Sequence, residues 1–360
     1  MEAAPTALAI SELLEQCIGP LRRSPADLQA CALVSRAWAY AAQPLIFAEV
    51  SVYSTTRAKN DATWFRLQET LHVSPHLIQY IRRLCINPNL LSSDGFAAMC
   101  RFPFTQLAYV FIMGSTLTPS SAFSLRHLFS LLSLTHVRLD CRFPSMADFV
   151  QIWDRCAPPL RHVQIGSSLA PWVKTSVTDV RPFRSPIRLE SLRVQCVTQA
   201  GDWLARVPDL FDLSQLRRLY MGHDTQLVDS KRLVPARQTI ETVEFRPTAT
   251  NPPINLGLFP RLTALHITLR APDAQPMLVH TLSTLPPSHR IRTIVLWMPH
   301  GGDGWLDLHL ASLPQHRAIT VELPTEANHY DYIKSRFPRT SAENMLRRTE
   351  KDRDWFEALD

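Results

Sequence analysis

No window of the 360-residue chain approaches eighteen consecutive apolar residues, the length a membrane-spanning helix needs. A helical membrane span is therefore not expected. Residues 1–10 contain Glu2 but no basic cluster and no apolar core, so a secretory leader is not expected either. The seven cysteines (Cys17, Cys31, Cys85, Cys100, Cys141, Cys156 and Cys196) include no C-x-x-C pair. An odd count without a leader argues for reduced thiols and a cytoplasmic or nuclear location. Runs of five like charges are missing too. The 38 basic and 32 acidic residues leave only +6, and no recognised nucleic-acid module is present, so nucleic acid is not an expected partner.

Signatures of catalysis are equally scarce. Gly301-Gly302-Asp303-Gly304 has neither the G-x-G-x-x-G nor the Walker spacing that cradles a phosphate, and reads as a loop. His72 and His76 stand at i, i+4, but Ser74 and Pro75 lie between them and no Glu does, so a helix terminus is expected rather than a metal site. Cys85 falls in an expected strand and Cys141 and Cys196 just past strand ends, places where packing or exposure explains a thiol. No catalytic residue, metal ligand or cofactor is expected.

What the chain does have starts near its beginning. In Leu8–Leu21 the apolar residues Leu14, Cys17, Ile18 and Leu21 recur at helical spacing, with Gly19 and Pro20 near the expected helix end. A second helix opens at Ser24 and Pro25, with Asp27 near its freed N–H groups. Leu28, Cys31, Ala32 and Ser35 form one face, and Trp38, Ala41 and Ala42 a further short one, which Pro44 is expected to end. Three short helices bury little apolar surface alone, so the module is expected to lean on a neighbour or a partner.

Beyond Phe47 one unit, apolar-x-x-apolar-x-apolar, recurs ten times: Ile81-Leu84-Ile86, Leu107-Val110-Ile112, Leu134-Val137-Leu139, Leu160-Val163-Ile165, Leu189-Leu192-Val194, Leu216-Leu219-Met221, Ile240-Val243-Phe245, Leu262-Leu265-Ile267, Ile291-Ile294-Leu296 and a weaker tenth, His316-Ile319-Val321, whose first position is polar. Their first positions lie between 22 and 29 residues apart. The later positions of each unit alternate apolar and polar, as a strand with one buried face requires, while the connections switch to helical spacing. Examples are Met146, Phe149, Val150 and Trp153 after Ser145, and Leu278, Leu282 and Leu285 after Pro276. Proline precedes most of the strands and can stop the preceding helix. Leu45-Ala48-Val50 reads as an opening strand, followed by a helix carrying Trp64, Leu67 and Leu71. From about Thr325 the pattern is lost, and Thr340 and Glu343 suit the start of a final, charged helix.

These residues carry a resemblance. Leu8, Ile10, Leu13, Leu14 and Ile18, then Asp27-Leu28, Cys31, Leu33-Val34-Ser35-Arg36 and Trp38, with Pro44, Leu45 and Phe47, are similar to the F-box, although Leu8-Ala9-Ile10 stands where that family has Leu-Pro. The ten units resemble degenerate leucine-rich repeats, with the asparagine after the strand kept only at Asn89. Together they resemble fungal-type F-box proteins with degenerate repeats. The expected fold is α/β: an F-box-like three-helix module (residues 1–50), then an irregular solenoid (51–324) with parallel strands on its concave face and helices outside, and a helical cap (325–360).

The resemblance implies a non-enzymatic substrate-recognition subunit of an SCF-type cullin-RING ubiquitin ligase. Its adaptor subunit would be docked by Leu8, Ile10, Leu13, Leu14, Ile18, Leu28, Cys31, Val34 and Trp38. The alternative is a repeat scaffold without ligase docking. Residues between and after the strand leucines are expected on the concave face: Arg83, Tyr109, Phe111, His136, Arg138, His162, Arg193, Arg218, Tyr220, Arg246 and Trp297, against Asp140, Glu244 and Glu322. Guanidinium groups bind carboxylate or phosphate in bidentate fashion, so a protein target with an acidic or phosphorylated segment is expected there.

Overall fold

The structure, a computed structural model, describes residues 5–52, 56–143, 145–166, 186–195, 204, 210–222, 225–269, 274–298, 304–313, 316–324, 330, 332 and 334–349. They fall into two compact units, one ending at Leu160 and the other beginning at Arg161. The chain is mixed α/β, and its main strands run parallel in both units.

The first unit opens with three helices, α1 (Pro5–Ile18), α2 (Pro25–Ala32) and α3 (Arg36–Ile46). Ser24 precedes α2 as expected, but its hydroxyl donates to the Asp27 carboxylate instead of accepting from the backbone. Ser35 supplies a true cap, its Oγ accepting from the Trp38 N–H at 3.4 Å. Pro44 does not end helical structure, because α3 continues to Ile46. A proline in the last turn forfeits a single N–H, and Leu45 and Ile46 pack on the module core in compensation.

The chain passes straight into β1 (Glu49–Val52), which pairs with β2 (Arg83–Ile86) after helix α4 (Arg57–Val73). Trp64 and Leu71 of α4 are fully buried. Helix α5 (Ser93–Cys100), β3 (Tyr109–Thr116), α6 (Pro119–Phe129), β4 (His136–Arg142) and α7 (Met146–Gln151) complete the unit, with the strands in the order β1-β2-β3-β4. Ser145 caps α7 by accepting from the Asp148 N–H at 3.1 Å. Cys141 lies inside β4, not past it, and is buried among the strand's apolar neighbours.

Strand β3 carries a local irregularity. Its register against β4 shifts between Met113 and Thr116, and Gly114 between them has φ +154°. A Cβ there would collide with the amide of Asn89 and lie 2.9 Å from Asn87 Oδ1. Neither asparagine is free to yield, since Asn89 Nδ2 donates to the Thr116 carbonyl at 2.6 Å and Asn87 Oδ1 accepts from the Asn89 N–H at 3.1 Å. Asn89 therefore ties one strand's exit to the next.

In the second unit β5 (His162–Ile165), β7 (Ser191–Val194), β9 (Arg218–Met221), β10 (Thr242–Phe245), β11 (Ala264–Thr268), β12 (Thr293–Trp297), β13 (Thr320–Pro324) and β14 (Leu346–Thr349) pair in that order. Two short strands, β6 (Ile187–Arg188) and β8 (Phe211–Asp212), form a separate ladder. Connections here are uneven. Three 3₁₀ turns stand between β9 and β10 and one between β10 and β11, whereas helices Gln275–Ser283 and Gly304–Ser312 lie between later strands. All ten repeat triplets sit at a strand, and apart from His316 every one of their apolar residues is at most 3% exposed. Each such side chain contributes about 1.5–3 kcal/mol by leaving water.

The C-terminal expectation needs correction. Residues 346–349 form a strand paired with β13, not the middle of a helix. The preceding helix is only Pro338–Ala342, and Asn344 at φ 57° turns the backbone out of it. Buried Met345 then fixes the strand, its carbonyl accepting from the Val321 N–H at 2.7 Å. Residues 350–360 lie outside those described.

Candidate functional sites

The helical module has a small core of Ile18, Leu28 and Ala42, ringed by Leu21, Ala32, Trp38, Ala41, Leu45 and Ile46. That ring uses up several residues expected to contact a partner. Ile18 and Leu28 are buried in that core and half-buried Trp38 packs against it, so these three hold the module together, while Leu14 and Cys31 are half-buried. Leu13 and Val34 are exposed, and the side chains of Leu8 and Ile10 lie outside the described ones. The most exposed apolar side chains of the module include two that were not expected as contacts: Leu33 at 88% and Tyr40 at 67%, beside Val34 at 67%. Leu33-Val34 sits in the turn between α2 and α3, beyond the helical period that singled out Leu28 and Cys31. A large apolar pair placed at a turn, where polar residues are usual, is the signal that locates it.

The strand residues between the buried leucines lie on the other side of the strands in both units. In the first, Glu49, Arg83, Tyr109 and His136 share one rank across β1–β4, and Cys85, Phe111 and Arg138 the next. Arg83 lies 4.6 Å over the Tyr109 ring and Arg138 4.3 Å over Phe111. Arg83 Nε also stands 3.9 Å from Glu49 Oε2. Tyr109 and His136 are buried under this cover. Burial pushes the Tyr109 hydroxyl up to about 12, against the opposing pull of Arg138 and Arg83, so it stays protonated.

In the second unit Gln164, Arg193, Tyr220, Glu244, His266, Val295, Glu322 and Arg347 share one rank. Arg193 is stacked 4.1 Å from the Tyr220 ring centre, with Arg246 5.7 Å from the same ring and Glu244 3.9 Å from Arg193 Nη2. Tyr220 is buried and its hydroxyl pushed up by that burial. Arg218 is exposed, and His162, Arg246 and Trp297 are half-buried.

The expected contact set thus divides. Arg83, Phe111 and Arg138 remain accessible in the first unit, and His162, Arg193, Arg218, Arg246 and Trp297 in the second. Tyr109, His136 and Tyr220 are buried beneath them. Alternation assigns a side chain to a face, but a neighbouring guanidinium placed over it can cover it. Arg83 and Arg193 are also partly offset by Glu49 and Glu244, so both faces are less basic than a count of arginines suggests.

His266 is buried in the same rank. Burial, helped by Arg193 and Arg218, lowers its pKa to about 4 from the ordinary 6.5. Between those values the unfolded chain takes up a proton that the folded one refuses. The resulting stability is present above about pH 6.5 and is lost as pH falls toward 4, by up to about 3 kcal/mol. Denaturant unfolding at pH 7 and pH 4.5 should therefore show a larger loss for the parent than for His266→Gln; equal losses would place the imidazole in water.

Cys100 and Cys141 are held protonated by burial, and Cys156 is pushed up to about 12 by the same cause. Among the described residues, no group of three or more His, Cys, Asp or Glu could hold a metal ion, and no helix is long and apolar enough to cross a membrane. Residues 301–303, most of the glycine-rich loop, and Cys196 lie outside those described.

No family model matches the chain, and no curated protein matches it. A solved structure, the Rad7 and Elc1 complex in yeast, is similar at 12% sequence identity and a TM-score of 0.35, over 98% of this chain and 97% of that chain. At that score the likeness bears on neither fold nor function.

Proposed function

We propose that this chain is the substrate-recognition subunit of an SCF-type cullin-RING ubiquitin ligase, with the F-box-like helical module docking the adaptor and the repeat strands presenting a target protein. The observation that carries the reading is the module's exposed apolar residues, Leu13 on α1, Leu33 and Val34 in the turn between α2 and α3, and Tyr40 on α3, in a module that already has a core of its own. Apolar side chains left in water around a satisfied core suit a protein partner. The repeats that follow the module in sequence supply strand faces with half-accessible arginines over aromatic rings, which suit an acidic or phosphorylated segment of a target. In this role the protein bridges two others and performs no chemistry itself.

Affinity purification with proteasome inhibition is expected to return an SCF adaptor and a target together. Charge reversal at Arg138 in the first unit, or at exposed Arg218 in the second, should weaken target capture on the order of tenfold at low salt and leave adaptor capture unchanged. Target capture that ignores both reversals at low ionic strength would take the strand faces out of the mechanism.

A further inference from the structure

Of the 38 basic residues only five are lysines, Lys59, Lys174, Lys231, Lys334 and Lys351; the other 33 are arginines. No lysine occurs anywhere between Lys59 and Lys174. The structure separates the arginines that need their guanidinium from those that do not. Arg83, Arg138 and Arg193 stand over aromatic rings, a position that favours a guanidinium over an ammonium. Arg36 on α3, Arg66 on α4, and Arg82, Arg217, Arg261 and Arg292 in the connections are exposed, and none has a side-chain hydrogen bond, ion pair or ring contact among the described residues. At such positions lysine gives the same charge and nearly the same helix propensity. Packing and electrostatics therefore account for only part of the bias. What separates the two side chains at an exposed, unpaired site is reactivity: an amine can shed its proton and act as a nucleophile, whereas a guanidinium stays charged at every accessible pH.

We propose that the exposed surface of this protein is depleted of lysine so that it is a poor acceptor of the ubiquitin its own ligase transfers, with self-modification confined to the few lysines present, of which Lys59, Lys231 and Lys334 are exposed. The inference rests on the ligase reading given above. In the transfer, a lysine Nζ that has lost its proton attacks the carbonyl carbon of the ubiquitin thioester on the conjugating enzyme. A C–N bond forms, the C–S bond breaks, and the departing thiolate takes up the proton the nitrogen releases. A receptor is held beside that thioester through every cycle of target modification, so each exposed amine on it competes with the target. Arginine keeps the positive charge of the surface without entering that competition.

The experiment uses the full chain in a reconstituted ligase with its adaptor, cullin, RING subunit and conjugating enzyme. The parent is compared with a variant carrying Arg36→Lys, Arg66→Lys, Arg82→Lys, Arg217→Lys, Arg261→Lys and Arg292→Lys, all charge-preserving changes at exposed sites. Adaptor capture and thermal unfolding are expected to match the parent. Ubiquitin conjugated to the receptor should rise several-fold, with new conjugates mapping to the installed lysines by mass spectrometry. Adding Val34→Asp to the variant should remove the rise, because the chain then no longer sits in the ligase. Equal receptor modification in parent and variant, with adaptor captured by both, would overturn the proposal and leave the ligase reading intact. Failure of the parent itself to capture the adaptor would overturn both.

Discussion

A chain with aspartate at both Leu33 and Val34 is expected to lose adaptor capture by at least about 100-fold while unfolding at the same temperature as the parent. The two side chains are 88% and 67% exposed, so the substitution removes almost nothing from the module's own core. In a complex, each would contribute about 1.5–3 kcal/mol through burial. Aspartate forfeits that contribution and adds a charge that must be desolvated, which costs several kcal/mol more when it is left unpaired. A tenfold loss of affinity corresponds to about 1.4 kcal/mol, so even the lower bound exceeds 100-fold. Leu28→Asp is the informative contrast, because it places a carboxylate against Ile18 and Ala42 and should unfold the helices outright. Pull-down with purified adaptor, read beside circular dichroism of each variant, distinguishes the cases. Undiminished capture by the folded double variant would move the docking surface elsewhere.

The second large effect is expected at Asp307. This carboxylate is 2% exposed on the helix Gly304–Ser312 and binds the start of the helix Pro338–Ala342. Oδ2 accepts from the Arg339 N–H at 2.9 Å, and Oδ1 accepts from the Thr340 N–H at 2.7 Å and the Thr340 hydroxyl at 2.5 Å. Thr340 is fully buried, so removing the carboxylate leaves donors that water does not reach. Hydrogen bonds to a charged group are worth about 1.5–3 kcal/mol each, and Asp307→Ala should cost at least about 3 kcal/mol locally. Because the helix feeds directly into β14, the loss should appear as faster amide exchange at Leu346–Thr349, with strands of the first unit unaffected. Asp307→Asn, which keeps one acceptor, should recover part of the protection. Unchanged exchange in β14 would show that strand pairing with β13 holds this end without the carboxylate.

The strands were the most legible part of the chain, because each triplet needs its apolar residues at fixed offsets and alternation exposes the period directly. β14 was hidden: Leu346-Arg347-Arg348-Thr349 has one apolar residue and two charges, and only its neighbour Met345, outside the strand, is firmly buried. The docking side chains were half-legible. Helical periodicity finds residues that face a core, so it picked out Ile18 and Leu28, which the module uses internally, and passed over Leu33 and Tyr40. On the strand faces the sequence placed Tyr109 and Tyr220 on the correct side but could not show that Arg83 and Arg193 lie across them. The change of unit after Leu160 had no signal, since the spacing of the triplets runs through it without interruption.

Gly114 has a consequence for how this chain can change over generations. Its backbone angle and the two asparagine amides pressed against it leave no room for a Cβ. Any single-base change in a glycine codon that yields an amino acid other than glycine installs one with a Cβ, so no neighbouring genotype offers a tolerated intermediate. Substitution there first requires Asn87 and Asn89 to give up their positions, and those positions hold the exit of one strand against the next. The three residues are therefore expected to be inherited as a block: in related chains, glycine at this site should disappear only where both asparagines have already gone.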